Sequence, residues 1–153
     1  MKIELDSPNL GEIEKEYLCE CIDSTFVSTI GPFVTKFEED FATFVQAPKA
    51  VSVQSGTAAL HIALIELGIG PGDEVIVPAL TFVAAVNPIR YVGATPVFAD
   101  VDPVTWNISA AEIEKVITPR TKAILPVHIF GNPCNMADIM RIAKAHNLFV
   151  IED

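Results

Sequence analysis

Several places along the chain bring together residue types that can do chemistry. The first reads Val51-Ser52-Val53-Gln54-Ser55-Gly56-Thr57-Ala58-Ala59-Leu60-His61, where an apolar run gives way through Ser-Gly-Thr to a helical pattern whose first turn is made of small residues. Small residues at a helix start leave backbone N–H groups open, with the helix dipole behind them. The N–H groups of Gly56, Thr57 and Ala58, with the Thr57 hydroxyl, could therefore hold a phosphate. A simpler reading has Ser55 or Thr57 only capping the helix. Neither GxGxxG nor GxxxxGK followed by Ser or Thr occurs, so the usual phosphate fingerprints are absent.

The next places each follow an apolar run. In Val77-Pro78-Ala79-Leu80-Thr81-Phe82, Thr81 reads as an N-cap, and the Phe82 ring could stack on a flat cofactor or pack into the core. In Pro126-Val127-His128-Ile129-Phe130-Gly131, His128 is either a hydrogen-bonded structural residue or a catalyst. The last two residues, Glu152 and Asp153, could be solvated charges, a cap for a following helix, or a partner for a protonated ring nitrogen. Asp100 and Asp102 suggest a metal pair, but the Asp102-Pro103 step and the lack of a His partner favour a turn. Cys19 and Cys21 are two apart on a helical pattern and diverge, so no metal site is expected there or elsewhere. His61 and His146 sit where packing and helix-dipole roles suffice.

The elements that must position these residues are legible from residue 50 onward. Short apolar runs at Ala50–Val53, Glu74–Pro78, Thr95–Asp100, Ala123–His128 and Phe149–Glu152 alternate with helical patterns at Thr57–Leu67, Phe82–Val92, Ala110–Ile117 and Met136–His146. The runs show little polar alternation, as expected of strands covered on both faces. Gly68 and Gly93 stand where left-handed C-cap glycines belong, and Ser109-Ala110-Ala111-Glu112 matches a capping box. Pro88 should kink the second of these helices or shift its start. The sum is an α/β fold with a mainly parallel sheet sandwiched by helices. In such sheets ligands bind beyond the carboxyl ends of the strands, where the Ser-Gly-Thr turn, Phe82, His128 and Asp153 all fall. Residues 1–50 differ, with helical spacing at Ile13, Tyr17, Leu18 and Cys21 and again at Phe33, Phe37, Phe41 and Phe44. Between these two helices runs a hydroxyl-rich loop, Ser24-Thr25-Phe26-Val27-Ser28-Thr29-Ile30-Gly31.

Composition removes several function classes. Half of the 153 residues are hydrophobic, which supports a core and excludes disorder. Ten basic residues against twenty acidic ones give a net charge of −10 with no basic run, so neither nucleic acid nor an anionic membrane is an expected partner. No apolar stretch approaches the ~20 residues of a membrane span, and the acidic start does not read as a signal peptide. With three cysteines, odd in number and unsuited to a disulfide framework, the expectation is a cytoplasmic protein. The sequence stops at Leu148-Phe149-Val150-Ile151-Glu152-Asp153, an apolar run that reads as a buried strand, so a truncated product or the front half of a longer chain is expected.

Taken together and in order, Ser55-Gly56-Thr57-Ala58-Ala59-Leu60, Gly70-Pro71-Gly72-Asp73-Glu74-Val75-Ile76-Val77-Pro78, Thr81-Phe82, Pro96-Val97-Phe98-Ala99-Asp100-Val101-Asp102, Pro126-Val127-His128-Ile129-Phe130-Gly131 and Val150-Ile151-Glu152-Asp153 resemble the DegT/DnrJ/EryC1/StrS family. These are pyridoxal-phosphate-dependent aminotransferases of fold type I that act on nucleotide-linked keto-sugars. The resemblance implies an N-terminal helical segment and substrate loop over 1–50. It implies the first part of the cofactor-binding large domain over 51–153, with the rest of that domain and a small domain missing. It also implies that Gly56, Thr57 and Ala58 hold the cofactor phosphate, that Phe82 stacks on the pyridine ring and that Asp153 pairs with its protonated nitrogen. Ser28, in a loop where Phe26 replaces the common Trp, and His128 would lie near the cofactor or sugar. The Schiff-base lysine is expected beyond residue 153, because none of Lys2, Lys15, Lys36, Lys49, Lys115, Lys122 and Lys144 sits at that motif. The chain by itself should then be inactive.

The implied reaction takes an amino group from an amino acid, glutamate by expectation, to a keto-sugar for surface polysaccharide, in a homodimer. Three alternatives stand beside it. One is the family branch in which histidine replaces the lysine and the enzyme is a dehydratase, or a relative that has lost catalysis. Another is a nicotinamide-dependent dehydrogenase, against which the lone Gly56 in the first strand–helix turn argues. The third is a non-catalytic binding or assembly module.

Overall fold

Alternating apolar runs and helical patterns commit residues 53–153 to layers, because a strand apolar on both faces needs a helix on each side. A computed structural model, describing residues 7–153, resolves the chain into two compact units, Met1–Ser52 and Val53–Asp153. In the second, four parallel strands, β1 Glu74–Pro78, β2 Thr95–Ala99, β3 Thr121–Ile124 and β4 Phe149–Val150, form a sheet in the order β2-β1-β3-β4. All five residues of β1 are buried. Pro96 is tolerated because β2 is an edge strand, where a missing N–H leaves no ladder bond unmade.

Alternation along β1 divides the core in two. Val75 and Val77 join Leu60 and Leu64 of α3 (Gly56–Glu66), Ile89 of α4 (Asn87–Tyr91), and Leu125 and Ile151 on one face. Ile76 and Ile124 join Ile113 of α5 (Ala110–Val116) and Ile139 and Ile142 of α6 (Met136–His146) on the other. At about 1.5–3 kcal/mol per buried aliphatic side chain, these two layers dominate what holds the sheet together.

Both expected glycine caps are realised. After α3, Gly68 has φ +69°, its N–H donates to the Ile65 carbonyl at 2.9 Å, and that of Ile69 donates to the Leu64 carbonyl at 3.0 Å. After α4 the pattern repeats, with Gly93 at φ +81° donating to Arg90 at 3.0 Å and Ala94 to Ile89 at 3.0 Å. Each is a Schellman closure, which demands a left-handed residue at the glycine position.

Four expectations need correction. Ala50–Val53 is not a strand: the Ser52 N–H and hydroxyl bond Glu38 Oε1 at 2.8 and 2.9 Å, which takes its hydrogen-bonding capacity away from any ladder. The single helix expected over Phe82–Val92 is a 3₁₀ turn, Val83–Ala85, followed by α4. Pro88 lies in the first turn of α4, where its missing N–H costs nothing. Thr81 is not an N-cap, since Phe82 occupies that position without a side-chain bond. The Ser109–Glu112 capping box is not formed: Ser109 makes no side-chain cap bond, and Glu112 pairs with Lys115 at 2.6 Å instead.

The first unit carries α1 (Glu12–Asp23) and α2 (Pro32–Phe44), with no buried residue in either helix. Tyr17 packs on Phe33, with ring centroids 5.0 Å apart, and an apolar groove of about 570 Å³ runs along Tyr17, Phe33, Phe37, Phe41 and Phe44.

Candidate functional site

Connectivity sets where the chemistry gathers. α3 rises ~16 Å over its eleven residues, the chain reverses through Gly68–Gly72, and β1 climbs back. The start of α3 thus stands at the edge where β1, β3 and β4 end, beside the 3₁₀ turn that follows Phe82.

At that start Ser55 is the N-cap, and its hydroxyl accepts the Ala58 N–H at 3.2 Å. The simpler capping reading therefore describes Ser55 and engages Ala58. Gly56 and Thr57 keep first-turn N–H groups with no protein partner among the described residues. A Cβ added at Gly56 would meet nothing within 4 Å, so the approach to these donors is open. Two free N–H groups, the Thr57 hydroxyl and the positive end of an eleven-residue helix form a donor set suited to a phosphate.

Phe82 is 78% exposed, with its ring available to a planar ligand rather than committed to the core. Just before it, the Thr81 Oγ1 is buried without a hydrogen-bond partner. No sequence signal marks that orphan, because it arises from the bend at residues 79–81 and not from residue type.

His128 and Asp153 meet at the ends of β3 and β4. The ladder runs past the regular strands: Ile151 N–H donates to the Ile124 carbonyl, Asp153 N–H to Pro126 at 3.0 Å and His128 N–H to Asp153 at 2.8 Å. The His128 ring holds Glu152 Oε2 at 3.1 Å through Nε2 and accepts the Cys134 N–H at 3.0 Å on Nδ1. Partial burial pushes the Asp153 carboxyl above the usual carboxylate range, and the nearby His128 pulls it back in part. An acid whose ionised form is disfavoured in this way gains from a cationic partner, which a protonated ring nitrogen would supply. These donors, ring and acid fit pyridoxal phosphate at its phosphate, its face and its nitrogen.

The remaining candidates have the following surroundings. Ser28 lies in an exposed bend of the first unit, after Thr25 at φ +65°. Asp102 is a turn residue: its Oδ1 accepts the N–H groups of Thr105 at 2.8 Å and Val104 at 3.0 Å, which hold its carboxyl below the usual range. Asp100 Oδ1 bonds the Val101 N–H at 2.8 Å. His61 packs edge-on against Tyr91, and among the described residues no group of three or more His, Cys, Asp or Glu is arranged to hold a metal ion.

Sequence reasoning missed a clasp between two loops at the same edge. The buried Asn107 donates through Nδ2 to the carbonyls of Asn132 at 2.9 Å and Pro133 at 3.0 Å, and Asn132 Nδ2 returns a bond to Thr105 at 3.1 Å. It presents Trp106 and Phe130, both at positive φ, edge to face at 6.0 Å.

Comparison with known proteins gives the family and the fold. The model of the DegT/DnrJ/EryC1/StrS aminotransferase family covers residues 8–153. The GDP-perosamine synthase of Caulobacter vibrioides is 50% identical over 152 residues, covering 99% of this chain and 41% of that protein. Among solved structures, the aminotransferase from Psychrobacter cryohalolentis superposes with a TM-score of 0.92 at 42% identity, over 97% of this chain and 38% of that one. NtdA from Bacillus subtilis, solved with bound cofactor PMP, gives a TM-score of 0.88 at 37% identity, over 94% and 33%. The chain spans about two fifths of the length of the curated relatives it matches. The α/β layering with a parallel sheet is the fold of these aminotransferases, and the chain belongs to the DegT/DnrJ/EryC1/StrS aminotransferase family.

Proposed function

We propose that residues 8–153 are the N-terminal part of a pyridoxal-phosphate-dependent aminotransferase that moves an amino group from an amino acid, glutamate in this reading, to a nucleotide-linked keto-sugar. The observation that carries the proposal is the strand-end edge. There the open start of α3, the exposed Phe82 ring and the Asp153 carboxyl, held above the usual carboxylate range, offer one donor set, one stacking face and one acid. When bound, the cofactor would supply an electron sink for the carbanion of amino transfer. Gly56 and Thr57 would anchor its phosphate through their N–H groups and the Thr57 hydroxyl, with Ala58 adding a backbone contact if Ser55 yields it. Phe82 would hold the ring plane, and Asp153 would keep the ring nitrogen protonated. Relatives with GDP-perosamine synthase activity in their names support a nucleotide-linked sugar as substrate.

The Schiff-base lysine, which the seven lysines of this sequence do not supply in this reading, would come from chain following Asp153, as would the rest of the large domain and the small domain. Residues 1–50 would then be the N-terminal segment with its substrate loop around Ser28, and His128 would stand near the cofactor or sugar. The protein would work in the cytoplasm as a homodimer. The aromatic row of α2, with Phe37 55% and Phe44 83% exposed, supports burial against further protein. No helix among the described residues is long and apolar enough to cross a membrane.

The test supplies the full-length protein with pyridoxal phosphate, ¹⁵N-glutamate and a GDP-linked 4-keto-6-deoxy sugar. The reading expects ¹⁵N in the sugar product by mass spectrometry. Loss of a hydroxyl from the sugar without nitrogen incorporation would instead place the protein on the dehydratase branch.

A further inference from the structure

Glu152 and Asp153 stand side by side at the end of β4, and one feature of the structure treats them differently. The His128 ring takes Glu152 at 3.1 Å, while among the described residues Asp153 is held only through its backbone, its N–H donating to Pro126 and its carbonyl accepting the His128 N–H. The ring geometry fixes a proton as well. Nδ1 accepts the N–H of Cys134 at 3.0 Å, and a ring nitrogen that accepts a hydrogen bond carries no hydrogen. The neutral ring therefore bears its proton on Nε2, where it donates to Glu152. Cys134 is buried and its Sγ–H donates to the Val127 carbonyl at 3.2 Å, so the loop presenting the 134 amide is anchored from below.

We propose that His128 is a positioning residue that assigns the two acids their tasks. Its ring, locked in the Nε2–H tautomer by the Cys134 amide, occupies Glu152, and its main-chain N–H pins the Asp153 backbone. Asp153 alone then presents an unpaired carboxylate to the cofactor ring nitrogen. This rests on the reading of Asp153 in the preceding subsection. His128 touches neither the cofactor nor the reacting atoms in this account. It acts through the end of β4.

The test uses the full-length protein loaded with pyridoxal phosphate, in two measurements. In wild-type protein with ¹⁵N-histidine at pH 8, long-range ¹H–¹⁵N spectra should show His128 with a bare Nδ1 and a protonated Nε2. The opposite tautomer overturns the proposal without any variant. In the second, the cofactor carries ¹⁵N in its ring. Wild type should show a protonated ring nitrogen. His128→Leu should raise the cofactor dissociation constant about tenfold and move the ring-nitrogen signal toward the unprotonated position, while His128→Asn, whose Oδ1 can still accept the Cys134 N–H, should recover part of both. Asp153→Asn separates the two claims. If that substitution leaves ring protonation and affinity unchanged, the reading of Asp153 fails. If Asp153→Asn has the expected effect but His128→Leu stays within twofold with the nitrogen protonated, only the role of His128 fails.

Discussion

Two glycines in the same closing motif offer a matched pair for testing the packing argument. Gly68 and Gly93 both sit at left-handed φ after a helix, at +69° and +81°, so alanine at either should cost about 1–2 kcal/mol of backbone strain. Their surroundings differ. A Cβ at Gly68 meets nothing within 4 Å, whereas at Gly93 it lies 3.0 Å from Pro71 Cγ and 3.4 Å from Cδ. A proline ring in a tight turn cannot swing away as a long side chain would, so Gly93→Ala should carry roughly 1–2 kcal/mol of overpacking in addition. Urea unfolding of both variants and wild type, with a shared m-value near ~2 kcal/mol/M, should show midpoints lower by about 0.5–1 M for Gly68→Ala and about 1–2 M for Gly93→Ala. Equal shifts would refute the steric part of the reasoning. No shift in either would refute the assignment of the two Schellman closures.

Other consequences follow from single residues. Glu74, buried at the start of β1, is held below the usual carboxylate range first by the Thr118 hydroxyl and then by Arg120, against the opposing pull of burial. A lowered native pKa means that this contribution is fully present above the ordinary value of 4.5 and is lost as pH falls below it. Glu74→Gln should therefore lower stability by about 1–3 kcal/mol at neutral pH, and the gap to wild type in thermal unfolding should narrow on acidification. Burial pushes the Cys134 thiol up, so a disulfide reagent should label exposed Cys19 rapidly in native protein and reach Cys134 only on unfolding. Ser55→Ala removes the α3 cap and should cost about 1 kcal/mol in urea unfolding. It would also free the Ala58 N–H, so cofactor affinity should fall less than stability suggests.

The layered fold was legible because β1 is buried along its whole length and the helices on either side of it in sequence, α3 and α4, carry their own stop signals at Gly68 and Gly93. The Ala50–Val53 run misled because apolar periodicity does not reveal where a segment's N–H groups go, and Ser52 spends its own on Glu38. Ser109–Glu112 misled in the same way, since Lys115, one turn along, competes for the carboxylate. At the candidate site, residue types alone pointed to the open helix start and to the acid ending β4. The orphan hydroxyl of Thr81 and the tautomer of His128 depend on contacts between distant segments, which no local pattern encodes.

The central claim is that the start of α3 holds the phosphate of pyridoxal phosphate. Its most direct test compares the affinities of pyridoxal phosphate and pyridoxal, which lacks the phosphate, for wild-type protein and for Thr57→Val, which removes the hydroxyl while keeping the volume. The account predicts that wild type prefers the phosphorylated form by a factor of a hundred or more. Thr57→Val should cut that preference about tenfold, through pyridoxal phosphate alone, in line with a charge-assisted hydrogen bond of about 1.5 kcal/mol. Equal affinity for the two ligands in wild type, or a preference untouched by the substitution, would contradict it.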